Sequence, residues 1–176
     1  DAIVAVASDR PSEDAWYDAD LRVIDLASGG QRVIYRPTEQ IGLQSASPSG
    51  SHVAVVEAVC SDRGAVAGIA LVIDMETGGI RRVDTGDADV TFTDWRDDHT
   101  LRLAALRDID TVMFTHDLDS GSCSEEWAVR EVTPSGRYLQ PAFVESRASD
   151  CLFLAEDFFR PCEIGMMRDG RYSTIA

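Results

Sequence analysis

One turn returns four times along this chain at nearly constant spacing, and that return limits the possible fold more than any other feature. LRVIDLASGG at 21–30, ALVIDMETGG at 70–79 and MFTHDLDSGS at 113–122 each lead an apolar strand into a glycine turn, and IGMMRDGRY at 164–172 is a weaker copy. The turn glycines, Gly29, Gly78, Gly121 and Gly170, lie 49, 43 and 49 residues apart. A second marker precedes the strand before each later turn: SPSGSHVAVV, DWRDDHTLRLAAL and VESRASDCLFLAE. The first copy lacks this lead-in and opens directly on IVAVA at Ile3.

Each unit reads as four short strands, a to d. In the second unit these are IGLQSA, HVAVVEA, IALVID and IRRVD. They are rich in Val, Ile and Leu and bounded by Gly, Pro, Ser and Asp turns. Several are apolar on consecutive residues, which suits sheets covered on both faces, and helical periodicity is nowhere sustained. Four-stranded units recurring near this length predict an all-β fold, a β-propeller whose blades bury one another's faces. Opening on strand b and closing on strand d leaves no spare strand to complete the first blade. The expectation is an open arc of about four antiparallel blades from a larger propeller, at approximately 1–39, 40–87, 88–132 and 133–176. A sandwich of unrelated strands is the competing architecture, and the glycine register counts against it.

At 176 residues the chain is about one domain long, and starting at Asp1 it reads as a piece of a longer protein. No apolar run approaches the roughly 18 residues of a membrane-spanning helix. Acidic residues outnumber basic ones 31 to 16, for a net charge of −15. That balance argues against nucleic acid or an anionic membrane as partner, because both need clustered positive charge. All 16 basic residues are arginine, as a GC-rich coding sequence or a high-salt setting would produce. Cys60, Cys123, Cys151 and Cys162 form no C-x-x-C pair and no zinc spacing, so free thiols are expected and a cytoplasmic setting is favoured. No metal or other cofactor is expected.

Catalytic signals are missing. No G-x-S-x-G elbow occurs, and a serine hydrolase would also need an acid and a histidine. His52 and His99 fall in a–b turns, while His116 replaces Ile24 and Ile73 of the other copies. DLDSG at 117–121 resembles the start of a calcium loop but lacks its distal Glu, and it aligns with the turns DLASG and DMETG. Glu13–Asp14, Asp97–Asp98 and Glu125–Glu126 read as solvated faces, and Trp95 and Trp127 as blade packing. Trp16 and Tyr17 sit in a long loop suited to contact with another domain.

The b–c loops are more informative. Ser8-Asp9-Arg10 and Ser61-Asp62-Arg63 both open such a loop, Arg107-Asp108 takes the same place in the third copy, and Glu156, Asp157 and Arg160 in the fourth. Strand order sends every b–c loop to one side of the blades, opposite the tight a–b and c–d turns. Long loops on a rigid scaffold are where binding concentrates. Asp9, Arg10, Asp62, Arg63, Glu156 and Arg160 are therefore candidates for substrate or domain contact, with Arg63 first. The competing reading is that each acid–arginine set only ties down its own loop.

SPSGSHVAVVEAVCSDRGAVAG with LVIDMETGGIRRVDTG, and RPCEIGMMRDGRY near the end, resemble the propeller of prolyl oligopeptidase-family serine peptidases, particularly acylaminoacyl-peptidase-like bacterial members. The resemblance covers essentially the whole chain. The S-P-x-G turns are shared by many propellers, whereas EAVCSDRG and RPCEI are more specific. It implies a non-catalytic propeller that gates and orients peptide substrates for an α/β-hydrolase domain of the same polypeptide, a domain absent from these residues. Exposed terminal blades would favour self-association. The alternative is a freestanding TolB-like binding propeller. A propeller enzyme of the lactonase or sialidase kind would need acids or histidines converging on the channel, and no such set is visible.

Overall fold

The computed structural model describes residues 1–59, 67–130, 133–134, 142–143 and 150–176. Four antiparallel sheets follow one another along the chain. The first contains β1 (Ala2–Ala7), β2 (Asp20–Asp25) and β3 (Gln31–Tyr35). The second contains β4 (Gln40–Ala46), β5 (His52–Ala58), β6 (Ile69–Asp74) and β7 (Ile80–Arg82). The third contains β8 (Asp89–Trp95), β9 (Thr100–Arg107), β10 (Asp110–Asp117) and β11 (Cys123–Val129). In the fourth, β12 (Thr133–Pro134) and β13 (Ala142–Phe143) both pair with β14 (Cys151–Glu156), followed by β15 (Glu163–Arg168) and β16 (Arg171–Thr174). Among the described residues, the lead-in strand of this sheet is represented by these two short pieces. The fold is an open arc of propeller blades.

Strand parity explains the consecutive apolar residues. On β5 and β6, Val53 lies opposite Ile73 and Val55 opposite Leu71. This set packs with Val4, Val6 and Leu21 of the first sheet. The alternate set, Ala54, Val56, Ala70 and Val72, packs with Leu101, Leu103 and Phe114 of the third. Ala104, Met113 and Trp127 then meet Cys151, Phe153 and Met167 of the fourth. Each Val or Leu buried this way contributes about 1.5–3 kcal/mol over exposure. Among the described residues no apolar cluster joins the fourth sheet back to the first.

Tryptophans close the seams between sheets. Trp95 donates its indole N–H to the Ser45 carbonyl at 3.1 Å and stacks on His52. Trp127 stacks on Phe153 with ring centroids 6.2 Å apart.

The recurring turn is one structure built three times. Asp74 accepts the N–H groups of Glu76 and Thr77, both at 2.9 Å, on one carboxylate oxygen, and its carbonyl accepts the Gly78 N–H at 2.9 Å. Asp25 and Asp117 do the same for Ser28–Gly29 and Ser120–Gly121. The Ser28 and Ser120 hydroxyls also donate to Asp25 and Asp117, and these bonds hold all three carboxyls below their ordinary range, the serine hydroxyl first at Asp25 and Asp117 and the Thr77 N–H first at Asp74. Gly78 sits at φ +72°, where a side chain is disfavoured, and Gly29 and Gly121 match it. The fourth copy differs, with Asp169 and Gly170 both at positive φ in the two-residue hairpin between Arg168 and Arg171.

Candidate functional site

Neighbouring sheets run the same way up. Gly68 and Val90 exchange backbone hydrogen bonds of 3.0 and 2.7 Å where β6 and β8 begin, and the Ser49 N–H at one a–b turn reaches Asp98 Oδ1 at the next, 2.9 Å away. The connections after β1, β5, β9 and β14 therefore leave at one edge. The third is a two-residue turn of Asp108 and Ile109, with Asp108 at φ +55°. The expectation of a long charged loop fails there because Arg107 still belongs to β9 and is spent on Glu125, its Nη1 donating at 2.7 Å across the sheet.

In the first loop the two candidates go separate ways. Asp9 does not pair with Arg10. It accepts Arg22 Nη1 at 2.6 Å, and this bond lowers its pKa. Arg22 also donates to Asp20 and to Gln31 Oε1, the latter at 3.2 Å, so a buried guanidinium on β2 anchors the loop from below. Arg10 instead donates to Asp14 at 3.1 Å and to Asp18, at the two ends of a short 3₁₀ helix, Glu13–Asp18. Trp16 of that helix packs against the second and third sheets' core, while Tyr17 stays exposed. Asp62 and Arg63 lie outside the described residues. Glu156 is the exposed last residue of β14. Arg160 folds back on Asp157 through Nε at 3.4 Å, and the two also exchange backbone hydrogen bonds.

The apolar character of this edge went unread in the sequence. Tyr17, Val59, Ile109, Phe158 and Phe159 are exposed large apolar side chains, and every sheet's b–c connection supplies at least one. Phe158 and Phe159 are 99% and 94% exposed, with their rings edge to face. The opposite edge is made of Ser-, Gly- and Asp-rich turns, with Leu26 their exposed large apolar side chain. Between the first b–c loop and the β3–β4 link lies a cleft of about 320 Å³ lined by Tyr17–Asp20 and Arg36–Glu39. Arg36 reaches Asp20 across it at 3.3 Å while remaining mostly open to solvent.

The histidines are dispersed. His52 stacks on Trp95, His99 faces Asp119 at 3.2 Å in a turn, and His116 is buried in β10. Burial lowers the pKa of His116 and raises those of Cys123 to about 11 and Cys151 to about 12, which keeps both thiols protonated and unreactive at neutral pH. Cys123, Cys151 and Cys162 are free. Among the described residues no group of three or more His, Cys, Asp or Glu side chains could hold a metal ion.

No protein-family model and no curated protein matches this chain. Solved structures share its fold. Oligogalacturonate lyase in complex with manganese is 17% identical with a TM-score of 0.67, over 90% of this chain and 42% of that one. TolB from Acinetobacter baumannii is 14% identical with a TM-score of 0.62, over 98% and 40%. The β-propeller domain of the Trilobed protease from Pyrococcus furiosus is 16% identical with a TM-score of 0.60, over 99% and 53%. Propeller-bearing peptidases of the prolyl oligopeptidase family, acylaminoacyl peptidase of Pyrococcus horikoshii among them, are also structural neighbours. The chain spans 40 to 53% of the length of the three structures described above.

Proposed function

We propose that this chain is the non-catalytic propeller portion of a serine peptidase of the prolyl oligopeptidase kind. Its b–c edge seats an α/β-hydrolase domain of the same polypeptide and orients peptide substrates for it. The observation that carries the reading is that every sheet's b–c connection presents an exposed large apolar side chain on that edge, with the Phe158–Phe159 pair most prominent. An apolar, aromatic surface beside a polar cleft suits a permanent partner next to a peptide-sized opening. The cleft's Arg36 and the candidate Arg63 would offer guanidinium forks to a carboxylate of substrate or partner.

The coding sequence beyond Ala176 gives the first test, because the reading requires a hydrolase with a G-x-S-x-G elbow there. In that full-length protein, Phe158→Ser with Phe159→Ser should lower kcat/KM on acylaminoacyl substrates and loosen the hydrolase domain in limited proteolysis. Unchanged kinetics and unchanged protection would remove the reading. A freestanding binding propeller is the second reading, favoured by the likeness to TolB over 98% of the chain. It predicts no hydrolase downstream.

A further inference from the structure

The c–d hairpin of the third sheet departs from its counterparts. Where β2 and β3 pair Ile24 with Gln31, and β6 and β7 pair Ile73 with Ile80, β10 and β11 set His116 directly opposite Cys123. Opposed residues of an antiparallel pair share a face, with Cβ atoms about 4.5–5.5 Å apart. That face looks toward the second sheet, because His116 alternates with Val112 and Phe114, and Cys123 packs against the same apolar cluster. Both walls of this seam, the second and third sheets, lie within the chain.

The imidazole is held in one tautomer. His116 is only 7% exposed, and its Nδ1 has no hydrogen-bond partner. The Ser122 backbone also engages the ring. With Nδ1 unpaired, that bond falls to Nε2, whose N–H donates to the Ser122 carbonyl. Nδ1 is left as a bare lone pair inside an apolar seam, a costly state unless something fills it. One ring N–H on a backbone carbonyl and the other nitrogen free is how metal-binding histidines are oriented.

The opposite residue supplies a second donor. Cys123 is half-buried, which leaves the pair a way in from the rim of the seam. Arg81 of β7 and Asp117 act on the imidazole with opposite sign, Arg81 while donating Nη1 to the Leu118 carbonyl at 3.2 Å, and Asp84 acts on the thiol. Two carboxylates against one guanidinium suit a bound cation. Among the described residues no third His, Cys, Asp or Glu joins the pair to make a site for a divalent ion. One thiolate and one imidazole instead suit a soft monovalent ion.

We propose that His116 Nδ1 and Cys123 Sγ form a two-donor site for a soft monovalent metal ion of the copper(I) class, which staples the c–d hairpin of the third sheet. Binding forms one N–metal and one S–metal bond, breaks the thiol S–H bond and releases that proton to solvent. The site depends on neither reading of the chain's function. Its test uses the chain carrying Cys60→Ser and Cys162→Ser, with Cys123 and the buried Cys151 as the remaining thiols. Anaerobic titration with copper(I) against a chromophoric chelator should give one ion per chain, and saturation should raise the melting temperature. X-ray absorption at the copper edge should show one sulfur and one nitrogen neighbour. His116→Ile and Cys123→Ile each restore one side of the second sheet's Ile73–Ile80 pair, so both should fold, which circular dichroism checks. Each should lose more than about a hundredfold in affinity, beyond the loss of a merely outer partner. Absence of binding would leave Nδ1 to a buried water and overturn the proposal. Affinity unchanged in either variant, a copper neighbour shell without nitrogen, or zinc(II) bound as tightly as copper(I) would overturn it equally.

Discussion

Tyr35, at the end of the first sheet's last strand, donates its hydroxyl to Glu57 in the second strand of the next sheet. The other Glu57 oxygen accepts the N–H groups of Thr38 and Glu39 at 2.7 and 2.9 Å, so one buried carboxylate fixes the link between the sheets. Through those two bonds it holds the cleft-lining segment Arg36–Glu39. Hydrogen bonds to a charged group contribute about 1.5–3 kcal/mol, and orphaned buried donors cost more. Glu57→Ala is therefore expected to destabilise the chain by roughly 2–4 kcal/mol in urea melts, and Tyr35→Phe by about 1–2 kcal/mol. A Glu57→Ala variant of unaltered midpoint would show that the link is held by other contacts.

Glycine geometry gives a graded series. Gly78→Ala and Gly121→Ala each place a side chain at φ +72° in open space, so the cost is backbone strain of about 1–2 kcal/mol. Gly79→Ala meets only the Thr77 hydroxyl at 3.2 Å, without positive φ, and should cost less. At Gly68 an added Cβ would lie 2.3 Å from the Glu57 carbonyl and 2.6 Å from the Ala58 Cβ, so that variant should be the worst. Equal midpoints across the four variants would contradict this ordering.

Those glycines are also why the architecture could be read from the sequence. A residue that must sit at positive φ once per unit leaves a periodic mark that side-chain drift does not erase, and the buried runs of β5 and β9 mark sheets covered on both faces. Other features depend on contacts that no local pattern encodes. Arg22 looks like an interruption in an apolar strand until Asp9, thirteen residues earlier, is seen to meet it. Arg107–Asp108 resembles the other acid–arginine sets, yet Asp108 adopts a left-handed turn that shortens the connection to two residues. The exposure of Phe158–Phe159 was hidden because an aromatic pair beside a strand reads as core.

His116 should make stability depend on pH. The other copies carry Ile24 and Ile73 at this position, and here a buried imidazole has its Nδ1 unpaired. Burial is the main cause of its lowered pKa; Arg81 acts in the same direction, while the Ser122 backbone and Asp117 oppose it. The unfolded chain protonates near the ordinary value of 6.5 while the folded one resists, so the contribution is complete above that pH and is lost as pH falls below it. Chemical denaturation between about pH 7.5 and 5 should show this loss. His116→Ile should flatten the dependence in that window, and an unchanged profile would assign it to other groups.

The isolated chain should not hydrolyse acylated aminoacyl nitrophenyl esters. It has no nucleophile elbow, its histidines sit in three unrelated packing or turn environments, and burial keeps the Cys123 and Cys151 thiols protonated. Turnover by pure chain, abolished by a Ser→Ala change within it, would contradict the assignment of catalysis to another domain.

The b–c edge yields the most direct functional prediction. If it seats a hydrolase domain, its side chains matter to kinetics while contributing little to the propeller itself. Phe158 and Phe159 are almost wholly exposed and so add little burial to the arc. Arg63 remains the first-choice contact from the sequence, since a guanidinium grips a carboxylate with two parallel hydrogen bonds that an alanine cannot make. In the full-length protein, Arg63→Ala should reduce kcat/KM roughly tenfold or more, as loss of a hot-spot arginine does, with the propeller's melting unchanged. Arg10 provides the contrast, because it is already committed to Asp14 and Asp18 within its own loop. Arg10→Ala should loosen that loop in hydrogen exchange and leave kinetics near normal. If Arg63→Ala instead lowers the melting temperature and spares kinetics, its role is to tie its own loop, as Arg10 does.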